Sequence, residues 1–146
     1  MKRSRKLILG AALAALCLCA NLHASDLNLT PLPGTPLRAE VLDALRHEVK
    51  RIHGLDVVFV VRYLKVRDGW AWVHTLPQSP DASNRYEDLS ALLQLQDGAW
   101  TVVEIPCGEE ENPDCLHGPE YFSGLQRRFP GAPTVIFPSR AHGLTD

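Results

Sequence analysis

Two segments of this chain turn on the same dipeptide. In LDVVFVVRYLKVRDGWAWVHTLP (55–77) and LSALLQLQDGAWTVVEIP (89–106), runs rich in β-branched, aromatic and leucine residues flank Asp68-Gly69 and Asp97-Gly98. A two-residue Asp-Gly loop suits the left-handed backbone of a hairpin turn, whose twist matches that of the strands it joins. Each segment is therefore expected to form an antiparallel hairpin, and the turn then sets which residues lie opposite one another. The two are similar in pattern around their turns without being a sequence repeat.

In the second hairpin this register puts Leu95 opposite Trp100 and Leu93 opposite Val102. Ala91 and Leu89 share their face, which is assigned to the core together with Trp100, while Gln94, Gln96 and Thr101 lie on the polar side. In the first hairpin Val66 faces Ala71 and Leu64 faces Val73, giving an equivalent core face. Its other face pairs Arg67 with Trp70, Lys65 with Trp72, Tyr63 with His74, and Val61 with Leu76. That face is aromatic and basic near the turn and apolar toward Val57, Phe59 and Val61, so cover is expected over its base and an opening at its tip. Strict alternation also sets Arg62 among Val58, Val60, Leu64 and Val66 on the core face. A buried charge needs a partner, and Glu104 is the expected one.

Ahead of the hairpins, Thr35 and Pro36 suit the N-cap and first position of a helix. Val41, Leu42, Leu45, Val49 and Ile52 recur at helical spacing, and Gly54 supplies a C-terminal stop. Glu40 and Asp43 lie early, and Lys50, Arg51 and His53 late, as the helix dipole favours. After the hairpins, residues 120–129 suit a short helix with Tyr121, Phe122, Leu125 and Phe129 on its apolar side, stopped by Pro130-Gly131. APTVIFP (132–138) reads as an edge strand or an extended strap. Strands bracketed by helices, without βαβ alternation, define an α+β class: an N-terminal helix on an antiparallel sheet of two hairpins, with a short C-terminal helix.

The N-terminus has the layout of a secretory signal peptide. Lys2, Arg3, Arg5 and Lys6 precede an apolar run from Leu7 to Ala20, and small residues surround Ala24. The run is shorter than the roughly 20 residues that span a bilayer. Cleavage after Ala24 is expected, with Ala20 as the other position. An uncleaved anchor and lipid attachment at Cys17 or Cys19 are open alternatives. The expected organisation is a signal at 1–24, an extended lead-in at 25–34, one domain at 35–138 and a mobile tail at 139–146. Without the signal, 11 basic and 17 acidic residues remain, a net charge of −6. That balance disfavours nucleic acid as a partner. Contact with a membrane is expected only through an uncleaved signal.

Export also bears on IPCGEEENPDC (105–115). With Cys17 and Cys19 removed, Cys107 and Cys115 remain, and an oxidising destination favours a disulfide between them. Zinc, with His117 and the nearby carboxylates, and a redox pair are the alternatives; neither has the close cysteine spacing it would want. Glu109, Glu110, Glu111 and Asp114 then read as a solvated loop held by the bridge, lacking the alternating oxygen ligands of a calcium loop. No metal or cofactor is expected. His47, His53, His74, His117 and His142 are scattered, with His47 expected in solvent. No nucleophile elbow, phosphate loop or paired zinc-ligand motif is readable, so a catalytic role has no support from the sequence.

The most distinctive surface candidate is Trp70 and Trp72 with Lys65 and Arg67. An exposed tip of this kind would grip an anionic ligand, a carbohydrate or a protein. The alternative is that the tryptophans are core, beneath the first helix or the C-terminal strap, with the basic stems lying over them.

At VVFVVRYLKVRDGWAWVHTLPQ, following the helix LRAEVLDALRHEV, the chain resembles a family of small exported bacterial proteins of uncharacterised activity. That resemblance covers roughly residues 37–105. It implies export and an α+β domain and carries over no site residues. The element order is also similar to cystatin-like and NTF2-like folds, by analogy only. The expectation is a periplasmic or secreted, non-catalytic binding protein for another envelope or secreted protein, of the inhibitor or immunity type. A small-molecule or cell-wall glycan module is the alternative, and a hydrolase without a linear motif a weaker one.

Overall fold

A computed structural model describes residues 29–106 and 119–139. The segment expected to be a signal, Cys107, Cys115, the acidic run between them and residues 140–146 lie outside the described residues. Helix α1 (Pro36–His53) is followed by strands β1 (Val58–Arg67), β2 (Trp70–Gln78), β3 (Leu89–Gln96) and β4 (Ala99–Glu104), then helix α2 (Pro119–Arg128) and a 3₁₀ turn at Thr134–Ile136. The strands form one antiparallel sheet in the order β1-β2-β3-β4. The fold is α+β, as the hairpin and helix signals indicate.

Both hairpins turn where Asp-Gly places them. Asp68 and Gly69 have φ of 50° and 76°, and Asp97 and Gly98 have 49° and 82°, the left-handed pair that a tight hairpin turn needs. Helix α1 starts after Thr35, whose hydroxyl donates to the Leu32 carbonyl (2.8 Å) rather than capping the helix. It ends at Gly54, in the left-handed conformation with its N–H on the Lys50 carbonyl (2.9 Å). Val41, Leu42, Leu45 and Val49 are buried, whereas Ile52, expected in the same stripe, is exposed.

The two faces of the sheet carry separate cores. On one, α1 packs Val41, Leu42 and Leu45 against Leu64, Ala71, Val73, Ala91 and Leu93, with Trp100 and Val102 at the margin. On the other, Trp70, Trp72 and Leu92 meet Phe122, Leu125, Ala132, Ile136 and Phe137. The second hairpin is thus not apolar on one side only: Leu92 and half-buried Val103 belong to the second core. Leu95, paired with Trp100 as expected, is exposed rather than part of the core. The segment after α2 is a strap with one 3₁₀ turn rather than an edge strand. Tyr63 fastens it, its hydroxyl lying 3.0 and 2.9 Å from the Ile136 and Phe137 carbonyls.

Two bulges correct the expected faces. In β1, Tyr63 pairs with His74 but Val61 pairs with Thr75, leaving Arg62 as the extra residue. The bulge shifts the alternation by one. Phe59 and Val61 turn to the α1 core, Arg62 points to solvent, and Val58 and Val60 become exposed on the opposite face. In β4, Leu93 pairs with Val102 but Leu92 pairs with Glu104, so Val103 is the extra residue. Glu104 is thereby moved to the α2 side. The expected Arg62–Glu104 pair does not form, because each bulge takes one of its members off the α1 face. The expected cover is also reversed: the first hairpin is covered on both faces at its tip and open at its base, around Val58 and Val60.

Candidate functional site

The aromatic–basic tip is not an open surface. Trp72 is 1% exposed and Trp70 8%. Trp72 meets Phe122 and Phe137 edge to face, with ring centroids 5.2 and 5.5 Å away, and Trp70 meets Phe129 at 5.9 Å. Gly131 also packs on Trp70, where a Cβ would make an ordinary contact with the indole at 3.6 Å. Of the two basic residues, Lys65 reaches the same cover and Arg67 turns to the hairpin turn. Lys65 Nζ lies 3.5 Å from the Val135 carbonyl and over the Tyr63 ring, and Arg67 lies 3.6 Å from Asp68. Of the two expectations for these tryptophans, the structure has burial, beneath α2 and the C-terminal strap. Cys107 and Cys115 lie outside the described residues.

Glu104, once moved by its bulge, joins α2 to the sheet. Arg128 donates to its two carboxylate oxygens and Tyr121 to one of them, at 3.2 Å. That carboxylate holds the Arg128 guanidinium above its ordinary pKa, while burial, ahead of the adjoining charge, pushes the Tyr121 phenol well above the usual range. The loop after β2 has its own hub. Asp81 accepts from Ser79 Oγ (2.5 Å), Ser83 Oγ (2.9 Å) and Ser83 N (3.2 Å), which lower its pKa to about 2.

His74 brings together the residue types of a hydrolytic triad. Its Nδ1 lies 3.0 Å from Ser90 Oγ and its Nε2 3.6 Å from Asp88. Ser90, however, is shut within the sheet, and a nucleophile must be reachable by its substrate. This arrangement acts as a cross-strand tie between β2 and β3. Among the described residues, no group of three or more His, Cys, Asp or Glu is placed to hold a metal ion, and no helix is long and apolar enough to cross a membrane.

A concave feature among the described residues lies elsewhere, between α1 and the edge of the sheet. It is an open groove of about 610 Å³. Glu40, Asp43, Ala44, His47 and Glu48 wall it on the helix side, and Gly98 to Val102 on the strand side. Helical geometry sets the first wall, since residues 40, 43, 44, 47 and 48 form a stripe beside the buried one. The second wall follows from the Asp97-Gly98 turn, which starts β4 beneath that stripe. Trp100 and Val102 are half-buried between the wall and the core. Asp43 is bound by Arg46 and Glu48 by Arg51, whose hydrogen bond lowers the Glu48 pKa, whereas no cation meets Glu40 among the described residues.

The sequence reading missed this groove. It used Glu40 and Asp43 only for the helix dipole and assigned Trp100 to the core. A helical wheel of α1 shows the acidic stripe, but which strand it overhangs is a tertiary fact. No protein-family model, curated protein or solved structure matches the chain. What fold and site define is a class: an α+β protein with one antiparallel sheet and an acidic, tryptophan-lined groove along a sheet edge.

Proposed function

We propose that this chain is an exported, non-catalytic binding protein that holds another protein of the cell envelope, as an inhibitor or immunity-type factor would. The observation that carries this reading is the groove between α1 and β4. It is open, with Trp100 and Val102 on one side and carboxylates on the other, and it borders a strand edge. Such a shape suits a polypeptide better than the enclosed pocket that surrounds a small ligand. The surface first expected to bind, at Trp70 and Trp72, gives way to Glu40, Asp43, His47 and Trp100.

A cell-wall glycan is the second reading. Half-buried Trp100 beside carboxylates also offers a stacking face and hydrogen-bond acceptors for a sugar ring.

The experiment is affinity capture from periplasmic and cell-wall extracts on the mature chain, beside a folded Glu40→Lys/Asp43→Lys variant. Captured proteins are identified, re-expressed and titrated directly against both baits. A purified protein that binds the native chain and loses at least tenfold in affinity for the variant supports the reading. Equal binding to both baits, or glycan fragments as the only specific ligand, overturns it.

A further inference from the structure

The two edges of the sheet differ in how they are closed. On β1, the Val66 N–H donates to the Leu29 carbonyl (2.7 Å), Arg62 sits in a bulge, and the strap covers the adjoining face, held by Tyr63 and Lys65. Pairing, bulges and edge charges are the usual ways in which a sheet refuses another strand. On β4 the stretch Ala99–Val103 has no charge and no proline, and no described strand pairs with its outer side.

The phase of its backbone groups follows from the register. The Leu95 N–H bonds the Gly69 carbonyl (2.7 Å), so the Leu95 backbone faces β2. Trp100, opposite Leu95, therefore has no ladder bond to β3, and its N–H and C=O point outward. Val102, opposite Leu93, is in the same phase. These outward groups lie along the strand that walls the groove, beneath the carboxylates of α1.

We infer that the groove takes an extended, lysine- or arginine-bearing polypeptide segment, which adds to β4 as a fifth strand under the acidic stripe of α1. This rests on the binding-protein reading above and names the ligand of that site. Strand addition satisfies the outward groups of Trp100 and Val102. Alternate side chains of the added strand point toward α1, where Glu40 meets no cation among the described residues and Asp43 and Glu48 carry one each. Charge complementarity thus selects a basic strand and disfavours an acidic one. The six residues of β4 give about 20 Å of edge, room for a segment of five to seven residues at about 3.3 Å each.

The test uses three acetylated, amidated seven-residue peptides. One alternates lysine and valine, one alternates glutamate and valine, and the third is the lysine peptide N-methylated at every second residue to block one hydrogen-bonding edge. Each is titrated into the 15N-labelled mature chain and into the Glu40→Lys/Asp43→Lys variant. The lysine peptide is expected to shift amides of Ala99–Val102 and of residues 40–48, and to weaken at least tenfold on N-methylation and on the double substitution. Raising the salt from about 0.1 M to about 1 M, which cuts the screening length from about 10 to about 3 Å, is expected to weaken it further. The glutamate peptide is expected not to bind. Equal affinity of the N-methylated peptide, indifference to the double substitution, shifts confined to other surfaces, or no binding of the lysine peptide each overturn the inference. The binding-protein reading fails separately, when an envelope protein taken up by the native chain binds the groove variant equally well.

Discussion

Arg128 closes a two-point ion pair on Glu104, its guanidinium nitrogens 2.8 and 2.7 Å from the two carboxylate oxygens. The contact exists because the β4 bulge carries Glu104 to the α2 side, so it reports directly on that bulge. Arg128 is half exposed, which puts the pair near the upper end for surface ion pairs, about 1 kcal/mol. Arg128→Ala and Glu104→Gln should each lower unfolding stability by about that amount, with a coupling of about 0.5–1 kcal/mol in a double-mutant cycle read by urea denaturation. Strictly additive losses would mean that the two side chains do not meet.

Arg62 gives the complementary case. Left on the core face, it would need a buried partner, and removing one member of such a pair costs about 3–5 kcal/mol. In its bulge it is exposed, so Arg62→Ala should change stability by less than about 0.5 kcal/mol. Thermal melts of the two chains separate these outcomes.

Trp72 stands at the centre of the second core, between Phe122 and Phe137. Trp72→Ala should cost about 3–5 kcal/mol, as expected for a buried aromatic side chain. Leu95→Ala, at an exposed position of the other face, should cost less than about 0.5 kcal/mol, whereas Leu93→Ala should cost about 2–5 kcal/mol. Similar losses at Leu93 and Leu95 would extend the α1 core to the hairpin tip and contradict the packing described.

The Asp81 hub predicts an acid transition. Hydrogen bonds from Ser79 and Ser83 hold its carboxyl near a pKa of about 2, below its ordinary 3.8. A depressed pKa means that the folded loop favours the charged form. Its contribution to stability is therefore present above pH 3.8 and is lost as pH falls toward 2. A carbon-detected NMR titration should give a midpoint near 2 for Asp81, moving up toward the ordinary value in Ser79→Ala. A midpoint unchanged by that substitution would remove Ser79 as a cause.

What could be read from the residues, and what could not, divides at the two bulges. From Leu64 to Val73, and from Leu93 to Val102, the Asp-Gly turns and the period-two alternation fix every pair, and the structure has each of them. Before Arg62 the run VVFVV is apolar in both phases, so hydrophobicity carries no information about which face each residue takes. The only clue was Arg62 itself, a charge on an apolar face, and it admits either a buried partner or a bulge. Val102-Val103 blurs the phase of β4 in the same way. Trp70-Ala-Trp72-Val73 is apolar on both faces because both are covered, and only the later helix and strap reveal it. The groove needed α1 to be placed over β4, which no local pattern encodes.

The central claim is that the edge of β4 beside α1 is where a partner is held. Amide hydrogen exchange tests it most directly, on the mature chain alone and with a saturating purified partner or the lysine–valine peptide. Trp100 and Val102 amides, which point outward, should exchange quickly in the free chain, while Ala99 and Thr101, paired to β3, are protected. On binding, Trp100 and Val102 should become protected together, with Ala99 and Thr101 little changed. Protection that appears on another surface while Trp100 and Val102 go on exchanging as before would contradict the account.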